Sequence, residues 1–143
     1  MNLYQLLETG FPKDKKSCAI ETQEGLYYSW SDLERATAKI ANLLASFNLP
    51  KDARVAVQVE KSPEALFLYL ATLRAGLVYL PLNTAYQAAE IEYFIGNAEP
   101  AVLVCSPKNH AWISALAKKA GTQHVLTLGE ARDGTLLEKA GAL

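Results

Sequence analysis

Histidine, cysteine and methionine are scarce in this 143-residue chain, at two, two and one copies, and each scarcity removes a class of chemistry. His110 and His124 share no ligand spacing, and Cys105 with His110 offers two ligands across a loop where a zinc site needs three or four. A surface histidine and a buried thiol are expected instead. Cys18 and Cys105 lie far apart with no Cys-x-x-Cys pattern, so nothing requires a disulfide, and reduced thiols in the cytosol are the economical expectation. No serine stands in a GxSxG elbow. Neither GxGxxG nor GxxxxGK[ST] occurs, and the eight glycines fall mostly at element ends, so no phosphate cradle is visible. The junction "VEKSPEA" is a poor anion site: Pro63 has no N–H to donate, and Glu64 would repel a phosphate at a helix N-terminus.

Charge of one sign is missing as well. Fourteen basic residues face fifteen acidic ones, for a net charge of −1, so the chain as a whole has no field to draw in nucleic acid or anionic lipid. The densest basic run, "PKDKK" at 12–16, is interrupted by Asp14, lacks aromatic partners for stacked bases, and reads as a solvated loop. The N-terminal "MNLYQLLETG" has neither the basic start nor the apolar core of a signal peptide. One window, "ALFLYLATLRAGLVYLPL" at 65–82, is long enough to consider as a membrane span. Arg74 at its centre, with Gly76 and Pro81 behind it, marks a buried helix followed by a buried strand. Neither a nucleic-acid nor a membrane partner is expected.

What is present is core-forming sequence, 50% hydrophobic and 20% charged, enough for one compact unit over 1–143. After a short helix at 2–9, "SCAIETQ" and "GLYYSW" read as two strands joined at Glu24 and Gly25, an N-terminal β-hairpin. Leu33, Ala36, Ile40, Leu43, Leu44 and Phe47 then recur at helical spacing over 31–47. Ser31 with Glu34 fits a capping box at the start, and Ser29 with Asp32 fits nearly as well. "ARVAVQVE" alternates as a strand, with Val55, Val57 and Val59 on one face and Ala56 and Gln58 on the other. "SPEALFLYLATLRAG" is a helix capped by Ser62, opened by Pro63 and closed by Gly76, and it is apolar nearly all round.

Strand and helix continue to alternate through "LVYLPL", "AYQAAEIEYFIGNA", "PAVLVC", "HAWISALAKKAG", "QHVLTL" and "GTLLEKA". The expected class is α/β, a mostly parallel sheet with helices on its faces and the hairpin at the N-terminus. Residues 78–80 are expected to be buried on both faces, Pro81 to end their pairing, and Asn83 with Thr84 to turn the chain. Ligands of such sheets approach the carboxyl ends of strands, which puts the 82–84 corner on the edge where chemistry is sought. Tyr79, Tyr86, Tyr93 and Phe94 read as packing residues rather than a pocket lining.

"AGLVYLPLNTAY" at 75–86 resembles the second core motif of the adenylate-forming superfamily, which includes the AMP-forming acyl-CoA synthetases. Leu73, Arg74, Ala75, Gly76, Tyr79, Pro81, Leu82 and Asn83 carry the match. "YSWSDL" at 28–33 resembles the first core motif, with Ser29, Trp30 and Asp32 as conservative departures. Asn83, where peptide-synthetase domains usually have Asp, favours the acyl-CoA synthetase branch. "EKSPEALFLYLATLRAGLVYLPLNTAY" and "EYFIGNAEPAVLVC" look similar to malonyl-CoA synthetases.

The resemblance implies a two-step ligase that uses ATP, Mg²⁺ and coenzyme A to activate a small carboxylic acid, malonate on the narrower likeness. The family's phosphate loop, acyl pocket, magnesium-binding glutamate and catalytic lysine have no counterparts here. The 143 residues therefore read as the N-terminal segment of the adenylate-forming fold within a longer synthetase, with no catalytic, cofactor-binding or metal residue and no cofactor bound by the segment alone. Such a segment is expected to be inactive by itself and to form a homo-oligomer through an apolar helix face or an unpaired strand edge. A stand-alone α/β ligand-binding or interaction domain stays open as the alternative.

Overall fold

The computed structural model describes residues 2–143. The chain runs through α1 (Leu3–Glu8), β1 (Cys18–Glu21), β2 (Tyr27–Ser29), α2 (Trp30–Ser46), β3 (Arg54–Gln58), α3 (Pro63–Arg74) and β4 (Val78–Pro81). It continues through α4 (Ala88–Ala98), β5 (Val102–Cys105), a 3-10 turn (Pro107–Asn109), α5 (His110–Ala120), β6 (His124–Thr127) and α6 (Thr135–Gly141). β1 and β2 pair antiparallel as the expected hairpin, and the other four strands form one parallel sheet in the order β4-β3-β5-β6.

The period-two pattern of β3 assigns its two faces to two cores. Val55 and Val57 pack with Val102, Val104, Leu126 and the buried faces of α1, α2, α3 and α6. Ala56 packs with Leu103, Cys105 and the apolar residues Ile91, Ile95, Ile113 and Ala117 of α4 and α5. A parallel sheet needs both faces covered because its crossovers are helices. The switch of helices from one face to the other follows from the strand order: α3 leads from β3 to one neighbour and α4 returns past β3 to the opposite neighbour, so right-handed crossovers place them on opposite faces.

Local signals set the element ends. The α2 cap is the Ser29 box: Ser29 accepts from Asp32 N–H at 3.1 Å, and Asp32 accepts from Ser29 N–H at 2.9 Å. Ser31 lies inside the helix, because the N–H groups of Trp30 and Ser31 already donate to the carbonyls of Ser17 and Lys15 beside the hairpin. Ser62 caps α3 by accepting from Ala65 N–H, with Pro63 at its first position. Gly76 ends α3 at φ +75°, where its own N–H reaches Leu73 O and Leu77 N–H reaches Thr72 O. Those two bonds form a Schellman motif, which needs a left-handed residue at that position. The α3 helix buries Phe67, Leu68, Leu70, Ala71 and Thr72 as its sequence implies, and Leu66 alone among its leucines is well exposed.

β4 departs from expectation. It is an edge strand, and Val78 is 41% exposed rather than buried on both faces. Pro81 does not end its pairing: Pro81 stands opposite Val57, and Leu82 N–H still donates to Val57 O at 2.8 Å. Val78 and Leu82 donate towards β3, so the odd-numbered residues turn outward, and the donor that Pro81 lacks is missing from the free edge. Proline on an outward position blunts an edge strand without breaking its inner ladder. The helix after β4 starts at Ala88, three residues later than its apolar pattern suggests, because 83–86 are used in a turn.

The opposite edge is closed differently. Thr127 N–H donates to Thr135 Oγ1 and Thr135 N–H donates to Thr127 Oγ1, both at 2.9 Å. Gly134, at φ +115°, lets the chain pass against Thr127: a Cβ there would lie 2.7 Å from the Thr127 carbonyl carbon. This reciprocal clasp satisfies the outward N–H of Thr127 and covers that part of the edge.

Candidate functional site at the carboxyl edge of the sheet

The strand order places the point where the crossovers diverge between β3 and β5. In open parallel sheets that divergence opens a crevice at the carboxyl ends of the two strands. Here the loop after β3 turns towards α3 on one face and the loop after β5 turns towards α5 on the other. The space between them is a cavity of about 220 Å³, with Gln58, Glu60, Thr84 and Tyr86 on one wall and Ser106, Lys108 and Trp112 on the other. Shallower clefts continue along the same edge past Lys61, Asn83 and Glu130. The expected 82–84 corner does lie on this edge, and Thr84 reaches the cavity.

The corner is built from short-range chemistry. Asn83 Oδ1 accepts from Ala85 N–H at 2.9 Å, and Tyr86 N–H returns to Asn83 O at 3.0 Å. An Asx turn of this kind is what asparagine provides locally. Gln87 then caps α4 with Glu90, whose carboxylate accepts from Gln87 N–H. Tyr86 stacks on Phe94 with centroids 5.1 Å apart, Tyr79 packs edge-on against Tyr69, and Tyr93 is exposed. Three of the four aromatics are therefore packing residues, and Tyr86 both packs and lines the cavity.

Gln58 is the residue that the sequence pattern left on a face without singling it out. It ends β3 opposite Cys105 and is 2% exposed. Its Nε2 donates to Asn83 O at 2.9 Å and to Tyr86 O at 3.2 Å, so two carbonyls fix the orientation of the amide. Its Oε1 is buried and has no partner. A polar residue closing a Val/Ala run on a doubly covered strand was the available signal.

Other titratable groups behave as structural parts. Burial pushes the Cys105 thiol up to about 11, which removes it as a thiolate nucleophile near neutral pH. His110 is exposed as expected, and among the described residues no three His, Cys, Asp or Glu side chains gather as a metal site. Burial, then the hydrogen bond to Glu64, raises the Tyr28 hydroxyl; that bond, 2.8 Å long, ties the hairpin to the buried first turn of α3. Arg74 donates to Tyr4 Oη, Glu34 O and Thr37 Oγ1 and lies over the Tyr4 ring, a set of neutral partners that explains a cation in the middle of an apolar run. No helix among the described residues is long and apolar enough to cross a membrane.

A family model described as AMP-binding enzyme matches residues 9–142. The chain belongs to that family. It is 45% identical to MatB from Rhodopseudomonas palustris in its apo crystal structure, with a TM-score of 0.91 over 99% of this chain and 28% of MatB. The ATP-bound structure of the same MatB gives the same identity, coverage and TM-score. A crotonobetaine/carnitine–CoA ligase of Salmonella typhimurium is 25% identical over 135 residues, which is 90% of this chain and 26% of that ligase. The chain thus spans little more than a quarter of the length of these relatives, and its α/β framework is the N-terminal part of the adenylate-forming fold.

Proposed function

We infer that residues 1–143 form the N-terminal scaffold of an ATP-dependent acid–thiol ligase. The observation that carries this reading is the joint agreement of sequence and backbone with MatB over nearly the whole chain. In the longer enzyme a carboxylate oxygen attacks the α-phosphorus of ATP and pyrophosphate leaves. The thiol of coenzyme A then attacks the acyl carbon and AMP leaves. Mg²⁺ and fixed donors stabilise the charge that builds on phosphorus. The acid is small, and the likeness of 60–86 to malonyl-CoA synthetases favours malonate. The reading assigns no catalytic, cofactor-binding or metal residue to this chain, which acts by holding the carboxyl edge in shape, in a cytosolic setting with small-molecule partners and neither nucleic acid nor membrane. By itself the chain is inactive and self-associates through Leu3, Leu6 and Leu7, which α1 exposes.

Grafting residues 9–142 in place of the matching stretch of MatB tests this. The graft is expected to catalyse malonate-dependent exchange of pyrophosphate into ATP, and the 143-residue chain alone to show none. A folded graft without exchange, or exchange by the chain alone, would overturn the reading. The cavity at the β3/β5 divergence favours one second reading, a stand-alone ligand-binding domain, and a one-to-one micromolar site for ATP on the chain alone would support it.

A further inference from the structure

We propose that Gln58 is the positioning residue of the carboxyl edge: its amide N–H₂ holds the 83–86 turn across the cavity mouth, and its free carbonyl oxygen receives a hydrogen bond from the cavity's occupant. The claim for a role in turnover rests on the ligase reading, whereas the claim about the turn does not. Gln58 sits at the carboxyl end of β3, where the crossovers diverge. One Nε2 bridges the carbonyls that open and close the turn, Asn83 O and Tyr86 O. The Asn83 carbonyl already accepts the turn's own bond from Tyr86 N–H, so Gln58 reinforces that closure from outside and ties both ends of the turn to β3.

Packing alone does not call for an amide at this position. Methionine or leucine fills the same space on this face without burying a carbonyl, and a buried acceptor with no donor is unfavourable. Among the described residues two buried side-chain polar atoms lack partners, Gln58 Oε1 and Thr122 Oγ1, and of these two residues Gln58 lines the cavity. The amide cannot turn over to relieve this, because its oxygen would then face the two carbonyls. The occupant is therefore a molecule that presents an N–H or O–H to the end of β3 while it lies between the Thr84–Tyr86 wall and the Lys108–Trp112 wall.

Two variants test the proposal, Gln58→Met, which keeps the shape, and Gln58→Glu, which keeps an acceptor but sets it against two carbonyls. In the 143-residue chain, amide hydrogen exchange at Ala85 and Tyr86 is expected to rise at least tenfold in both, and more in Gln58→Glu, while Val57 and Val104 stay within twofold. Unchanged exchange at the turn, or equal acceleration in the strands, would overturn the positioning claim. In the MatB graft, with ATP, coenzyme A and malonate titrated separately, Gln58→Met is expected to raise KM at least fivefold for ATP or coenzyme A, which carry N–H and O–H donors, and to leave kcat and the KM for malonate, a dicarboxylate without a donor, within twofold. A uniform loss of kcat, or no change at all, would overturn the acceptor role while leaving the ligase reading intact. An inactive graft containing Gln58 would instead count against the ligase reading, and a water alone bonded to Oε1 in a ligand-saturated structure would also overturn the acceptor role.

Discussion

Gly76→Ala and Gly134→Ala make the same chemical change at two positive-φ positions, and the structure predicts very different costs. At Gly76 a Cβ meets nothing within 4 Å, so the penalty is the left-handed conformation alone, about 1–2 kcal/mol. Lower unfolded-state entropy returns about 0.4–1 kcal/mol, for a net loss of roughly 0–1.6 kcal/mol. At Gly134 the backbone lies at φ +115° and ψ 163°, a region essentially restricted to glycine, at about 1–3 kcal/mol for other residues. A Cβ there would also meet the Thr127 carbonyl carbon at 2.7 Å and Leu128 Cα at 3.0 Å, and these are backbone atoms that cannot swing aside. Opening that contact pulls apart the two Thr127–Thr135 bonds, each worth about 1 kcal/mol. With the same unfolded-state return of about 0.4–1 kcal/mol subtracted, the net loss is roughly 2–4.6 kcal/mol. For a domain of this length about 1 kcal/mol corresponds to roughly 4 °C in Tm. Thermal melts followed by circular dichroism should therefore show Gly76→Ala down by no more than about 6 °C and Gly134→Ala down by about 8 °C or more. Equal depressions, or the reverse order, would show that the clasp does not hold the β6 edge.

Three further outcomes are expected. Because burial raises Cys105 from its ordinary 9.0 to about 11, the folded chain binds more protons than the unfolded one between those values. Stability is then fully present below pH 9 and falls as pH rises towards 11, by up to about 1.4 kcal/mol per unit; urea titrations across this range should show the slope, and Cys105→Ala should reduce it, leaving the part due to Tyr28 and Tyr79, whose hydroxyls burial also raises. Asn83→Ala loses the Asx bond to Ala85 and is expected to cost about 1 kcal/mol with the fold intact; a failure to fold would assign Asn83 a larger part than the turn geometry gives it. Light scattering over a tenfold concentration range should show concentration-dependent association of the chain, reduced in a Leu3→Ser, Leu6→Ser, Leu7→Ser triple variant, and a strictly monomeric mass would refute the exposed-leucine surface.

Much of the framework was legible because its signals are local. The stripe from Leu33 to Phe47, the alternation of Val55, Val57 and Val59, and the Ser62–Pro63 start with the Gly76 stop each report a helix or a strand through one period or one cap. The corner at 82–84 was legible for the same reason, since asparagine bonds its own backbone two residues on. The α2 cap was ambiguous because Ser29 and Ser31 satisfy the same local rule. The choice came from Lys15 and Ser17, whose carbonyls take the N–H groups of Trp30 and Ser31.

The apolar run at 77–82 determines a strand, and it carries no mark of whether that strand lies at the centre or the edge. The order β4-β3-β5-β6 decided that, and with it the meaning of Pro81, which blunts a free edge instead of ending a ladder. The same order set the divergence between β3 and β5, and so gave Gln58 its place. By itself the sequence determined the elements, their faces and the family motifs, because these depend on spacing along one segment. Strand order, edge closure by Thr127 and Thr135, and the meeting of Gln58 with Asn83 and Tyr86 depend on contacts between residues from 8 apart (Thr127 and Thr135) to 47 apart (Val55 and Val102, 102 − 55), and those distances close only when both faces of the sheet are covered.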